Sequence, residues 1–187
     1  MTRIIAGVHG GRRLSAPAGV QTRPTSDRVR EAFFSTLATM TDLDGARFAD
    51  LYAGSGAVGL EALSRGATYV LLVESDPRAA RIIRDNVAAL RAGAAVRPVT
   101  GRVSQALAAP PEGGPYDVVF ADPPYPLPDD ELIDMQRALL DNGWLAGDAV
   151  VVFERSTRGG RLTWVDGITP DRSKRYGETT LWYGRRS

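Results

Sequence analysis

The sequence predicts an α/β fold: a doubly wound, mostly parallel sheet of Rossmann-like type, closed by an antiparallel C-terminal pair and preceded by a small β-hairpin. Three observations carry this. From Phe48 onward, strand-like and helix-like segments alternate. Several of the strand-like runs, such as YVLLV at 69–73 and AVVVF at 149–153, are apolar throughout, as a sheet covered on both faces requires. A glycine-rich turn, Gly54-Ser55-Gly56-Ala57-Val58-Gly59, follows the first of these strands and precedes a helix.

Residues 1–25 are rich in Gly, Arg and Pro and read as a basic hairpin or arm outside the main core, which leaves 26–187 as the main domain. Ser26 or Asp27 is placed to cap a helix, on which Val29, Phe33, Leu37 and Met40 recur at helical spacing and Phe34 widens the stripe. Arg28 and Arg30 fall off that stripe and face a ligand or solvent. Strands are expected at 48–52, 69–74, 95–100, 117–121 and 148–154. Helices are expected at 58–65, 77–91 and 131–140, with a helical turn at 103–108. In the 77–91 helix Ala80, Ile83, Val87 and Leu90 share one face, and Pro77 suits its first turn. Residues 110–115 read as a surface loop, and 161–166 with 179–183 as the closing antiparallel pair.

With 187 residues, 43% of them hydrophobic, the chain can bury one sizeable core. It has no cysteine, which excludes disulfides, thiolate zinc sites and cysteine nucleophiles. Its single histidine, His9, cannot build a multi-histidine metal site, and no metal is expected. The start lacks the apolar core of a secretory signal, and no apolar run approaches the roughly 20 residues that span a bilayer. A cytoplasmic protein fits these features, and a monomer is the default because no association seam is visible.

The net charge of +1 hides a segregation. Residues 1–30 carry six arginines against Asp27 alone, and residues 155–187 carry eight basic against three acidic residues, so the body between them is strongly acidic. Two basic ends on an acidic body suit a protein that meets a polyanion on one side. Arg12, Arg13, Arg23, Arg28, Arg30, Lys174 and Arg175 are the candidate phosphate contacts.

The glycines of G-x-G-x-x-G let the backbone turn tightly and approach a ligand. Glu74 ends the next strand, twenty positions past Gly54, where a carboxylate accepts the hydroxyls of an adenosine ribose. Nicotinamide-dependent enzymes share that pattern. Asp50, placed to organise the turn and attract an ammonium group, favours S-adenosylmethionine as the cofactor. Asp50, Ala53, Gly54, Ser55, Gly56, Glu74 and Ser75 are the expected cofactor contacts.

Asp122-Pro123-Pro124-Tyr125 directly follows the strand at 117–121. An exocyclic amine on a nucleobase is a poor nucleophile, because its lone pair is delocalised into the ring. Asp122 and the carbonyl of Pro123 can accept its hydrogens and favour a pyramidal nitrogen. The two prolines stiffen the loop, and Tyr125 can stack on the base. The base must be single-stranded or flipped out to reach such a site. The same four residues serve guanine-N2, adenine-N6 and cytosine-N4, and a non-catalytic RNA-binding assembly factor is the remoter reading.

Four runs together carry a resemblance: Arg23 to Ala32 (RPTSDRVREA), Asp50 to Ala67 (DLYAGSGAVGLEALSRGA), Asp122 to Tyr125, and Arg175 to Thr179 (RYGET). In this order they resemble the RsmD family, bacterial 16S ribosomal RNA guanine-N2 methyltransferases. The resemblance implies a class I S-adenosylmethionine-dependent methyltransferase fold, a small N-terminal hairpin, and one guanine of small-subunit rRNA, in an assembled or partly assembled subunit, as the target. It assigns the cofactor to Asp50, Gly54, Ser55, Gly56 and Glu74, and catalysis to Asp122, Pro123, Pro124 and Tyr125. The chain departs at Thr100-Gly101-Arg102-Val103, which lacks the acid that related enzymes often place after the third strand for the adenine amino group; backbone groups of Arg102 and Val103 are expected to take its place in binding the cofactor.

Overall fold

The computed structural model describes residues 2–17, 26–125 and 127–187, with the backbone alone for Ser26. β1 (Thr2–Arg3) and β2 (Arg13–Leu14) pair as an antiparallel hairpin, and α1 (Ser26–Ala38) follows. Then come β3 (Arg47–Leu51), α2 (Ala57–Ser64), β4 (Tyr69–Glu74), α3 (Pro77–Ala89), β5 (Val96–Thr100), α4 (Val103–Leu107), β6 (Tyr116–Ala121), α5 (Asp129–Asp141), β7 (Leu145–Ser156), β8 (Ile168–Tyr176) and β9 (Thr179–Arg186). Seven strands form one sheet in the order β5-β4-β3-β6-β7-β9-β8. The first five are mutually parallel, and β9 runs antiparallel between β7 and β8.

Chain order along the sheet reverses between β3 and β6. The connections after these two neighbouring strands leave toward opposite edges, which opens a crevice at their carboxyl ends. Strand alternation divides the core into two layers. Val70, Leu72, Val118, Phe120, Val150 and Val152 face α1, α2 and α3, whereas Val73, Val119, Ala121, Val151 and Phe153 face α4 and α5. α1 packs by its phenylalanines. The Phe33 ring lies 5.0 Å from that of Phe120 and 6.3 Å from that of Tyr183, and the Phe34 ring 6.2 Å from that of Phe48. Each such buried ring contributes roughly 1.5–3 kcal/mol. α3 begins where Asp76 accepts the Arg78 N–H at 3.0 Å, with Pro77 in its first turn.

Two expectations need correction. The hairpin exists, but it is not outside the main core: Ile4 and Leu14 are buried in the same cluster as Phe33 and Phe48. Its docking depends on Glu61 of α2, which is fully buried and accepts the N–H groups of Ile5 (2.8 Å) and Ala6 (3.1 Å) while pairing with Arg65 (2.9 Å). A buried carboxylate is tolerable because these donors replace water. The second correction concerns the tail. Residues 161–166 are irregular, and the strand is β8, at 168–176. β8 is the sheet edge and exposes nearly every side chain, so it carries no apolar alternation, and its charges and Pro170 discourage further strand pairing. Leu162 and Trp164 instead cover the α5-side layer, which gives that irregular segment its apolar content.

Candidate active site

Parallel pairing of Leu51 with Ala121 sets the loops after β3 and β6 side by side. The Asp122 N–H donates to the Leu51 carbonyl at 3.4 Å, continuing the ladder one step past the strand. The β3 loop then turns through Tyr52 at φ 61° and Gly54 at φ 59°. Left-handed backbone at an aromatic residue is costly, and such strain clusters at functional sites. The turn is tied down from β4: Ala53 N–H donates to the Val73 carbonyl at 2.9 Å, and Gly54 N–H to Glu74 Oε1 at 2.8 Å. Glu74 Oε2 accepts the Asp76 N–H, also at 2.8 Å. The carboxylate is therefore held in place with lone pairs left over for a ligand's hydroxyls.

Gly59, the third glycine, is required for packing. A Cβ there would lie 2.3 Å from Leu72 Cδ2 and 2.9 Å from Val70 Cγ1. Its close approach also lets its N–H reach Asp50 Oδ2 at 2.9 Å. Asp50 is only 1% exposed, and its carboxyl pKa is raised well above the usual range, chiefly by burial and also by the charges of Asp122, Glu74 and Glu154. The Gly59 hydrogen bond only partly offsets this.

Two cavities open at these strand ends, and Tyr52 lines both. The first, about 420 Å³, lies on the α1 side. Asp50, Ala53, Gly54, Ser55, Glu74 and Asp122 line it, together with Asp76 and Glu154. The second, about 550 Å³, lies on the α4–α5 side, with Ser75, Arg102 and Val103 among its lining. Gly56 is buried at the start of α2 and lines neither. Pro123 is buried, Pro124 is exposed, and Tyr125 is 44% exposed; none of them is among the first cavity's lining residues. The aromatic wall there comes from Phe33 and Phe120. Arg155 of β7 donates to the carbonyls of Pro124 (3.4 Å), Tyr125 (3.5 Å) and Leu127 (3.3 Å), a fork that fixes the loop's path.

The basic residues divide. Arg12, Arg13, Arg28, Lys174 and Arg175 are exposed. Arg12 also donates to the Ala89 carbonyl at 2.7 Å, and Arg175 to that of Gly177 at 3.0 Å. Arg23 lies outside the described residues. Arg30 departs from the expected phosphate contact: it is 5% exposed and points inward. It bonds the Arg3 carbonyl at 2.5 Å and Asp27 at 3.2 Å, and its Nε lies 3.5 Å from Glu61, an ionic contact without hydrogen-bond geometry. Its role is to join the hairpin, α1 and α2. The β8–β9 turn, by contrast, lies at the active end of the sheet: Arg175 pairs with Thr180, which pairs with Arg155, two residues beyond the level of Ala121.

Four participants were not anticipated: Tyr52, Glu154, Arg155 and the α1 wall of Val29 and Phe33. Glu154 had a signal, since it ends an apolar strand just as Glu74 does. Among the described residues no group of three or more His, Asp or Glu is placed to hold a metal ion, and no helix is long and apolar enough to cross a membrane.

A family model described as "Conserved hypothetical protein 95" matches residues 2–185. The chain is 42% identical over 161 residues to ribosomal RNA small subunit methyltransferase D of Escherichia coli K12, covering 86% of this chain and 78% of that one. It is 36% identical over 154 residues to the protein of the same name from Haemophilus influenzae, covering 81% and 77%. Among solved structures it is similar to one titled "Putative methyltransferase yhhF from Escherichia coli", with a TM-score of 0.85, 37% identity, and coverage of 100% of this chain and 98% of that one.

Proposed function

The chain belongs to that family, the RsmD family of its sequence resemblance, and we propose that it methylates the exocyclic N2 of one guanine in the rRNA of the small ribosomal subunit or an assembly intermediate. It is an S-adenosylmethionine-dependent rRNA methyltransferase by membership. The nucleobase, its position and the state of the subunit are the proposal. The observation that carries it is the meeting of the β3 and β6 loops, joined by the Asp122 N–H on the Leu51 carbonyl, over one acid-lined cavity.

The residues present fit the cofactor. Asp50, Glu74, Asp76, Asp122 and Glu154 line the first cavity, and among the described residues its one cationic lining residue, Arg30, is already paired with acids. Such a lining suits a ligand with ammonium and sulfonium charges and opposes a pyrophosphate, which disfavours the nicotinamide-dependent reading. Asp50 and the turn at 53–56 would hold the methionyl end and Glu74 the ribose. The second cavity, with apolar Val73, Val103, Leu107 and Met135, would take the adenine. When bound, the cofactor supplies an electrophilic methyl group. Asp122 and the Pro123 carbonyl accept hydrogens from the target amine and aim its lone pair. As nitrogen gains positive charge, the Asp122 carboxylate stabilises it and the acidic cavity receives the released proton. Arg155 keeps the loop at the right height by its hold on three carbonyls.

The exposed cations Arg12, Arg13, Arg28, Lys174 and Arg175, with Arg23, would bind phosphate and position the RNA without reading its sequence. The test is incubation with small subunits from a strain lacking this modification, followed by nucleoside mass spectrometry. N2-methylguanosine is expected, and it should vanish with Asp122→Ala. N6-methyladenosine or N4-methylcytidine would overturn the guanine reading.

A further inference from the structure

We propose that Glu154 is the residue that selects guanine, accepting the N1–H of the target base while Asp122 serves its N2 amine. The inference rests on the reading that this site methylates an exocyclic amine, and it adds what distinguishes one amine-bearing base from another.

The placement follows from register. Ala121 pairs with Phe153, so the next residues on each strand, Asp122 and Glu154, stand level at the carboxyl ends of adjacent parallel strands. Val150 and Val152 face α1, and Phe153 faces α5. Alternation therefore points Glu154 toward α1, as it does Phe120 and Leu181, and all three line the first cavity beside Asp122. Val29 and Phe33 of α1 line the same cavity, and the Phe33 ring lies 5.0 Å from that of Phe120, so the two rings form one continuous apolar wall beside the two carboxylates. Glu154 also acts electrostatically on Asp50, which lines the same cavity, and on Tyr183 beneath α1, so its charge is felt inside.

Guanine carries N1–H and N2–H₂ side by side on its Watson–Crick edge. Two acceptors side by side match them. Adenine and cytosine present a bare ring nitrogen next to their amine, a lone pair that would face the carboxylate of Glu154. An ionised carboxylate only accepts, so it repels the ring lone pair that adenine or cytosine would set against it. A single carboxylate after β6 activates any of the three amines. The second, on β7, makes the choice among them.

The test compares guanine with 2-aminopurine at the target position of reconstituted subunits. The analogue keeps the N2 amine and has no N1–H. Wild-type protein should favour guanine in kcat/KM by about 10- to 100-fold, the worth of one hydrogen bond to a charged group. Glu154→Gln should lower kcat/KM on guanine and compress that preference to within a few-fold, while Glu154→Asp retains most of it. The mutant cycle separates the N1 contact from the loss of O6 in the analogue. A native circular-dichroism spectrum and a cooperative thermal melt show that a variant is folded. A preference that survives in folded Glu154→Gln, or a wild-type protein indifferent to the analogue, would overturn the assignment while N2 methylation of guanine stands. Wild-type protein that leaves guanine N2 unmethylated would instead remove the parent reading, and this assignment with it.

Discussion

The two cavities divided by Tyr52 differ in chemistry. On the α1 side, five carboxylates crowd a space of about 420 Å³, and burial with mutual repulsion keeps the Asp50 pKa raised. On the α4–α5 side, the walls are Val73, Val103, Leu107, Leu127 and Met135, with Glu131 and Asp134 at one margin. One half awaits positive charge; the other offers a flat ring apolar walls. A ligand with a cationic end and an aromatic end satisfies both, and Tyr52 bends the backbone at the boundary. Burial and the charges of Asp122, Glu74 and Glu154 disfavour ionised Asp50, so a cation beside it is stabilising.

The largest expected effect breaks the acidic half alone. Asp122→Ala should lower methyl transfer by about 10²–10³-fold, comparable to the loss of one electrostatic stabiliser elsewhere, with cofactor affinity within a few-fold by calorimetry. Glu74→Ala should weaken cofactor binding by about 10- to 100-fold, since charged hydrogen bonds to the ribose disappear and Gly54 and Asp76 are deprived of their acceptor. Gly59→Ala drives a methyl into Leu72 and should cost about 1–3 kcal/mol in a denaturant melt.

The pH dependence sharpens the contrast further. A raised carboxyl pKa means the folded, ligand-free protein binds a proton that the unfolded chain does not. Its stability should fall as pH rises through the raised value. A cationic ligand prefers ionised Asp50, so cofactor affinity should rise with pH over the same window, and Asp50→Asn should flatten that slope. The smallest effect belongs to the rim. Lys174→Glu with Arg175→Glu should weaken subunit binding several-fold at low salt and reduce the log–log salt slope by about one for each phosphate left unneutralised.

How much of this is legible in the sequence depends on how local the signal is. β4 is readable to the residue, because both its ends coincide with an abrupt change from apolar to polar. The glycine turn and Asp122 are legible because backbone geometry at a strand end demands particular residues there. β8 escapes a sequence reading because an exposed edge strand has no buried face to leave a pattern. Arg30 resembles a surface arginine from helical spacing alone; its partners Arg3 and Glu61 lie 27 and 31 positions away in the chain, beyond any local window. Glu154 and Arg155 gain their meaning from register with β6, which only the folded sheet supplies.

The claim that one ligand spans both cavities, charged end on the α1 side, is tested most directly by titrating S-adenosylmethionine and adenosine separately into wild-type protein and Asp50→Asn. Asparagine still accepts the Gly59 N–H, so the turn is preserved and only the charge is removed. S-adenosylmethionine should lose about tenfold or more in affinity, as expected for a charged interaction, and adenosine should be unchanged. Equal losses for both ligands, or no loss for either, would contradict the account.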